Sequence, residues 1–169
     1  MMTTLDKIKV TYAIIFLVIG LVLGFIVGKV IGPSSEVTSE GAIEPIKIGF
    51  VGPLTGENAN IGIPIRRGVE LALEDINSAG GINGRQLVAI FEDGKCNAKD
   101  ANTAGLKLID QDKVIAIVGG TCSSETLAIA PNAESKKIPL ISPSATNPKI
   151  TDAGDYIFRA ATTASDETP

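Results

Sequence analysis

Residues 119–126 read Gly-Gly-Thr-Cys-Ser-Ser-Glu-Thr, two glycines and a cysteine set among four hydroxyl side chains. A cysteine at a helix start can have a depressed pKa and act as a nucleophile, so Cys122 is the first candidate for chemistry. It has no evident base. The chain contains no histidine at all, which removes Ser-His and Cys-His pairs and imidazole metal ligands. The only other cysteine is Cys96, and two thiols alone make a poor metal site. In an extracytoplasmic domain a disulfide between Cys96 and Cys122 is the default expectation. Closing a loop of about 25 residues adds roughly 3–4 kcal/mol in the chain-entropy treatment.

The hydroxyls suggest binding instead. Gly119 and Gly120 let the backbone turn sharply, and the first N–H groups of the helix that follows have no partners within it. With the helix dipole and the hydroxyls of Ser123 and Ser124, these donors suit a carboxylate or another small anion. A serine here also serves as a plain N-cap, and this loop alone does not separate the two roles. A second hydroxyl loop, Ser142-Pro143-Ser144-Ala145-Thr146, completes the pattern. Two such loops side by side make a neutral pocket that would hold a carboxylate by hydrogen bonds and leave carbonyls for an ammonium group. A dinucleotide site is the rival at Gly52-Pro-Leu-Thr-Gly56, but the spacing lacks G-x-G-x-x-G and Pro53 removes a donor. Glu92 and Asp93 are expected to be solvated charges at a strand end, with no general-acid role.

These loops need a scaffold that brings them to one edge. Ile46–Val51 reads as a strand buried on both faces. After the turn-rich PLTGENANIGIP, residues Ile65, Val69, Ala72, Leu73 and Ile76 share one helical face, and Gly80-Gly81 stops the helix. Strand patterns recur at 86–91, 114–118, 139–142 and 156–160. Helical patterns occupy 98–111, with Ala101, Ala104 and Leu108 inward, and begin again near Ser123. Pro131 should kink or divide that last helix. The alternation predicts an α/β fold with a doubly wound parallel sheet and right-handed crossovers. Ligands of such sheets bind beyond the carboxyl ends of the strands, where the loops carrying Ser123 and Thr146 would lie.

The N-terminus has a different character. Val10–Gly28 runs nineteen residues without a charge, about 28 Å as a helix, which is the length of a membrane span. A cleaved signal peptide would have a shorter apolar region and a small-residue cleavage site, and neither is present. The expectation is a retained anchor over residues 10–31, a cytoplasmic N-terminus over 1–9, a flexible linker over 32–45 and an extracytoplasmic domain over 46–169. The alternative is a secreted or periplasmic domain released by cleavage. Gly20, Gly24 and Gly28 recur every fourth residue, a spacing that lets membrane helices dimerise. The formal charge of −4, without a basic run, disfavours nucleic acid as a partner.

Five segments together carry a family likeness: IKIGFVGPLTGENANIG, GVELALEDINSAGGINGRQLVAIFEDGKCNAKDA, IVGGTCSSETLAIAP, IPLISPSATNP and YIFRAATTASD. Over residues 46–169 the chain resembles the leucine/isoleucine/valine-type substrate-binding proteins of ABC importers, which have the periplasmic-binding-protein type I fold. The resemblance implies a binding protein, not an enzyme, that needs no cofactor or metal and delivers an amino acid or related carboxylate to permease subunits. It implies a Cys96–Cys122 disulfide. It also implies ligand contacts at Ser123, Ser144, Ala145 and Thr146, with Ser144 acting mainly through its carbonyl. Ile61 stands where leucine-type members place an aromatic residue against the ligand, which leaves the side-chain preference open. The family closes two lobes over its ligand, so residues 46–169 are expected to form one incomplete N-terminal lobe that binds weakly by itself. A ligand-sensing ectodomain of a membrane-anchored receptor is the other function such a lobe could serve.

Overall fold

A computed structural model describes residues 44–165 of the chain. The expected N-terminus 1–9, anchor 10–31 and most of the linker 32–45 lie outside the described residues, as do Gly20, Gly24 and Gly28. Among the described residues no helix is long and apolar enough to cross a membrane.

Five strands form one sheet: β1 (Ile46–Gly52), β2 (Leu87–Asp93), β3 (Ile117–Gly119), β4 (Leu140–Ser142) and β5 (Ile157–Arg159). All neighbours are parallel, in the order β2-β1-β3-β4-β5. Three helices connect them: α1 (Ala59–Ser78), α2 (Ala98–Leu106) and α3 (Ser123–Lys136). Beyond α2 the helix widens into a π-helical turn, Lys107–Gln111, so the expected helix over 98–111 is spanned in full.

Side-chain alternation along the strands assigns the layers. Val51, Ile117, Leu140 and Ile157 face one side and join Ala101, Ala104, Leu108 and Ile129 of α2, its π-turn and α3 in the core. Phe50 faces the other side, with its ring 5.5 Å from that of Phe91 and Arg66 of α1 lying 4.6 Å over Phe91. The α1 face is only half covered. The in-register row Phe50, Val118, Ile141, Phe158 runs from fully buried Phe50 to 43% exposed Ile141 and 49% exposed Phe158.

Four expectations shift, the first being the strand expected over 114–118, which is confined to Ile117–Gly119. Helix α1 begins at Ala59, inside the stretch expected to be loop, and runs through Pro64. Its early turn is drawn in because Gly62 is buried there: a Cβ on Gly62 would lie 2.0 Å from the Pro53 carbonyl oxygen. The α1 positions expected inward are only partly so; Ala72 is exposed and Ile76 is at 36%. Pro131 does not divide α3, which continues to Lys136. The missing N–H costs one helical bond at an exposed position, while Ile129, Ala130 and Ala133 keep the helix packed on the core.

Candidate ligand-binding site

In the order 2-1-3-4-5 the chain switches direction between β1 and β3, so the crevice of an open sheet lies beyond the carboxyl ends of those strands. The loops that follow β1, β2, β3 and β4 all emerge at this edge, because every strand is parallel.

A buried carboxylate fixes two of these loops. Glu125, at the third position of α3, is fully buried and accepts hydrogen bonds from the backbone N–H of Cys96 and of Cys122, each at 2.9 Å. Burial pushes its pKa up, against the opposing pull of the Cys122, Cys96 and Thr121 amides. Cys96 and Cys122 themselves are joined by a disulfide with a Cα–Cα distance of 5.4 Å. The Ser124 hydroxyl adds a bond to the Cys96 carbonyl at 2.9 Å. The loop after β2 is thus held against the start of α3 by one covalent link and two hydrogen bonds, Cys96 N–H to Glu125 and Ser124 hydroxyl to the Cys96 carbonyl. Sequence reasoning found the cysteines but missed Glu125. The signal was present as Cys-Ser-Ser-Glu, the three-residue spacing by which a glutamate reaches back to the residue before a helix.

Asp93 does the same for the loop after β1, which corrects its expected role as a solvated strand end. Its carboxylate accepts from the Leu54 N–H at 2.8 Å, from the Thr55 hydroxyl and from the Lys95 N–H at 3.1 Å. Partial burial alone would raise its pKa, but the bonds from Thr55, Leu54 and Lys95 together hold it below the usual aspartate value. Glu92 is also engaged, paired with Lys107.

The hydroxyl loops are brought together. The Asn147 N–H donates to the Ser123 hydroxyl at 3.3 Å, tying the loop after β4 to the start of α3. The Ser144 hydroxyl donates to the Thr121 carbonyl at 2.8 Å, so its side chain is spent on structure. Ala145 is packed in the core, and its N–H donates to the Ser142 hydroxyl at 3.1 Å. Thr146 is half-buried, and among the described residues nothing bonds its hydroxyl. The same holds for the backbone N–H groups of Ser123 and Ser124, the first two of α3. Ile61 sits in the first turn of α1, 43% exposed, on a helix rather than in a loop. One polar atom stands apart: the Thr121 hydroxyl is buried and has no partner among the described residues.

The amides of Ser123 and Ser124 thus open α3 without partners among the described residues, and Asn147, the residue after Thr146, is bonded to Ser123. An open parallel sheet of this order is an α/β lobe of the kind whose ligands lie at the carboxyl edge, where these loops emerge. The comparisons give the family: residues 45–169 match the model described as periplasmic binding protein, and the chain belongs to that family. Membership implies an extracytoplasmic location for the folded part.

Its curated relatives include an amino acid binding protein of Pseudomonas aeruginosa, 42% identical, matched over 69% of this chain and 31% of that protein. A leucine-specific-binding protein of Salmonella typhimurium is 37% identical over 78% of this chain and 36% of its own length. Among solved structures, a branched-chain amino acid transporter substrate-binding protein from Streptococcus pneumoniae, in complex with isoleucine, is 39% identical. It superposes with a TM-score of 0.68 over 70% of this chain and 34% of that one. These relatives are binding proteins, not enzymes. The chain spans about a third of the length of the curated relatives it matches.

Proposed function

We propose that this chain supplies one lobe of an extracytoplasmic solute-binding protein that captures a branched-chain or related amino acid for an ABC importer. The relatives named above favour that role over a membrane receptor. One observation carries the reading: the free Ser123 and Ser124 amides and the free Thr146 hydroxyl sit on two loops that the Asn147–Ser123 bond holds side by side. In this reading the ligand's carboxylate takes the two amides and the hydroxyls of Ser123 and Thr146. Its ammonium group takes the Ser144 carbonyl, since the Ser144 hydroxyl is already committed to Thr121. Ala145 supports the loop from the core, and Ile61 lies at the mouth, against the ligand's side chain. A retained anchor over residues 10–31 keeps the lobe at the membrane, and the permease subunits receive the ligand there.

The test is a thermal-shift and calorimetric screen, on protein that includes this lobe, against amino acids, their amides and simple carboxylates. Leucine, isoleucine or valine is expected to stabilise the protein, and their amides are not. Ser123→Ala and Thr146→Ala each remove a hydrogen bond to a charged group, about 1.5–3 kcal/mol, so each should weaken binding by ~10-fold or more. Unchanged affinity in both variants would place the site elsewhere.

A further inference from the structure

The amino edge of the sheet, opposite the proposed ligand site, carries a surface that the binding function leaves unused. A hollow of about 230 Å³ is lined there by Lys47 at the start of β1, Arg85 just before β2, and Lys113 and Ile115 before β3. Lys47 and Lys113 are exposed and Ile115 is 59% exposed. Next to it, Ile82 is 43% exposed and pairs with Arg85 through two backbone bonds of 2.8 and 3.0 Å. The one acid of the hollow is Glu44, whose backbone carbonyl accepts from the Arg85 side chain. The result is three cations and one anion around protruding isoleucines, on a chain whose net charge is −4. Apolar side chains ringed by lysine and arginine are the composition of a surface that settles into the headgroup region of an anionic bilayer.

Chain connectivity points to the same occupant. Strand polarity brings the chain into the lobe at this edge, through Glu44 and Pro45. Only residues 29–43 separate that entry from the uncharged run Val10–Gly28. With that run embedded in a bilayer, so short a covalent tether would give the surface a high effective concentration near the lipid.

We infer that the surface formed by Lys47, Arg85, Lys113, Ile82 and Ile115 binds anionic phospholipid, seating the lobe on the membrane with its ligand edge outward. Strand β1 is seven residues long, so the ligand edge then stands about 20 Å above the seat. The tethering part of the argument rests on the anchor reading; the surface chemistry does not.

The full chain has no tryptophan, so Ile115→Trp supplies a single reporter. The variant is mixed with vesicles of phosphatidylcholine alone, or of phosphatidylcholine with phosphatidylglycerol, with and without brominated acyl chains. Blue-shifted emission and bromine quenching are expected only with phosphatidylglycerol, and raised salt should reverse both. Lys47→Glu and Lys113→Glu, added singly, should each weaken the partition by about fivefold. Circular dichroism checks that these exposed substitutions leave the fold intact. Equal signals in neutral and anionic vesicles, or signals indifferent to both charge reversals, overturn the proposal. Displacement by inorganic phosphate at constant ionic strength also overturns it, in favour of a soluble anion. Flotation with neutral vesicles reads the anchor separately. A chain that fails to float there but keeps the phosphatidylglycerol-dependent signal loses the anchor and keeps the seat.

Discussion

The hydroxyl of Thr121 lies where β3 gives way to α3, packed over Gly52 so closely that a Cβ on that glycine would meet it at 2.5 Å. Its backbone carbonyl is used by Ser144, while its own oxygen is left unsatisfied. An unpaired buried hydroxyl costs about 1–3 kcal/mol, and valine has nearly the same shape. Thr121→Val is therefore expected to raise stability by ~1 kcal/mol or more in denaturant unfolding; a loss of stability would mean that the oxygen has a partner. Asp93 is the opposite case, a carboxylate with three donors. Its folded pKa lies below the ordinary value, so at mildly acid pH the folded state binds fewer protons than the unfolded one. The stability it contributes is complete above the ordinary aspartate pKa and is lost as pH falls through the lower folded value. Asp93→Asn should lower the melting temperature at neutral pH, with the gap to the parent protein closing in acid. A gap that does not change with pH would show that the charge contributes nothing.

At the scale of elements, α1 tests how closely a helix may approach a strand end. Gly62 is its one buried residue, and any side chain there meets the Pro53 carbonyl. Gly62→Ala should force α1 outward at a cost of about 1–3 kcal/mol. Gly68, in the same helix with nothing within 4 Å of a Cβ, should gain up to ~1 kcal/mol as alanine. Chemical denaturation of the two variants gives the comparison, and equal effects would dismiss the close approach. The same pair explains what the sequence revealed and what it concealed. Strands β1, β2 and β4 and the helix over 98–111 were legible because their apolar periods are clean and turn residues bound them. The start of α1 was not, because glycine and proline in NIGIP signal a loop, and only the packed partner Pro53 turns that glycine into a contact. Pro131 misled in the same way, since three buried residues around it outweigh one missing hydrogen bond. In the candidate site the donors were legible as hydroxyl-rich loops. Asp93 was not, because a carboxylate that gathers backbone donors differs from a solvated one only in its surroundings; Glu125 left a trace only in the three-residue spacing from Cys122, which does not reveal its burial.

The whole sheet is covered unequally, and this sets how the lobe behaves in water. Helices α2 and α3 close one face, whereas α1 covers Phe50 and Phe91 and leaves Ile141 and Phe158 in register at the far strands, 43% and 49% exposed. Parallel strands normally carry protein on both faces, since their side chains on both sides are apolar. A half-exposed aromatic–aliphatic pair on a sheet face favours association and binding of hydrophobic dyes. Ile141→Lys and Phe158→Lys place charge where the present side chains already meet solvent, so each should change stability by no more than about 0.5 kcal/mol. Together they should reduce dye fluorescence and shift sedimentation toward monomer. If instead the double variant unfolds, the face is a covered part of the core and α1 is not its only lid. If it stays folded and dye binding is unchanged, the sticky surface lies elsewhere, and the exposed Leu71 on α1, at 60%, becomes the position to charge next.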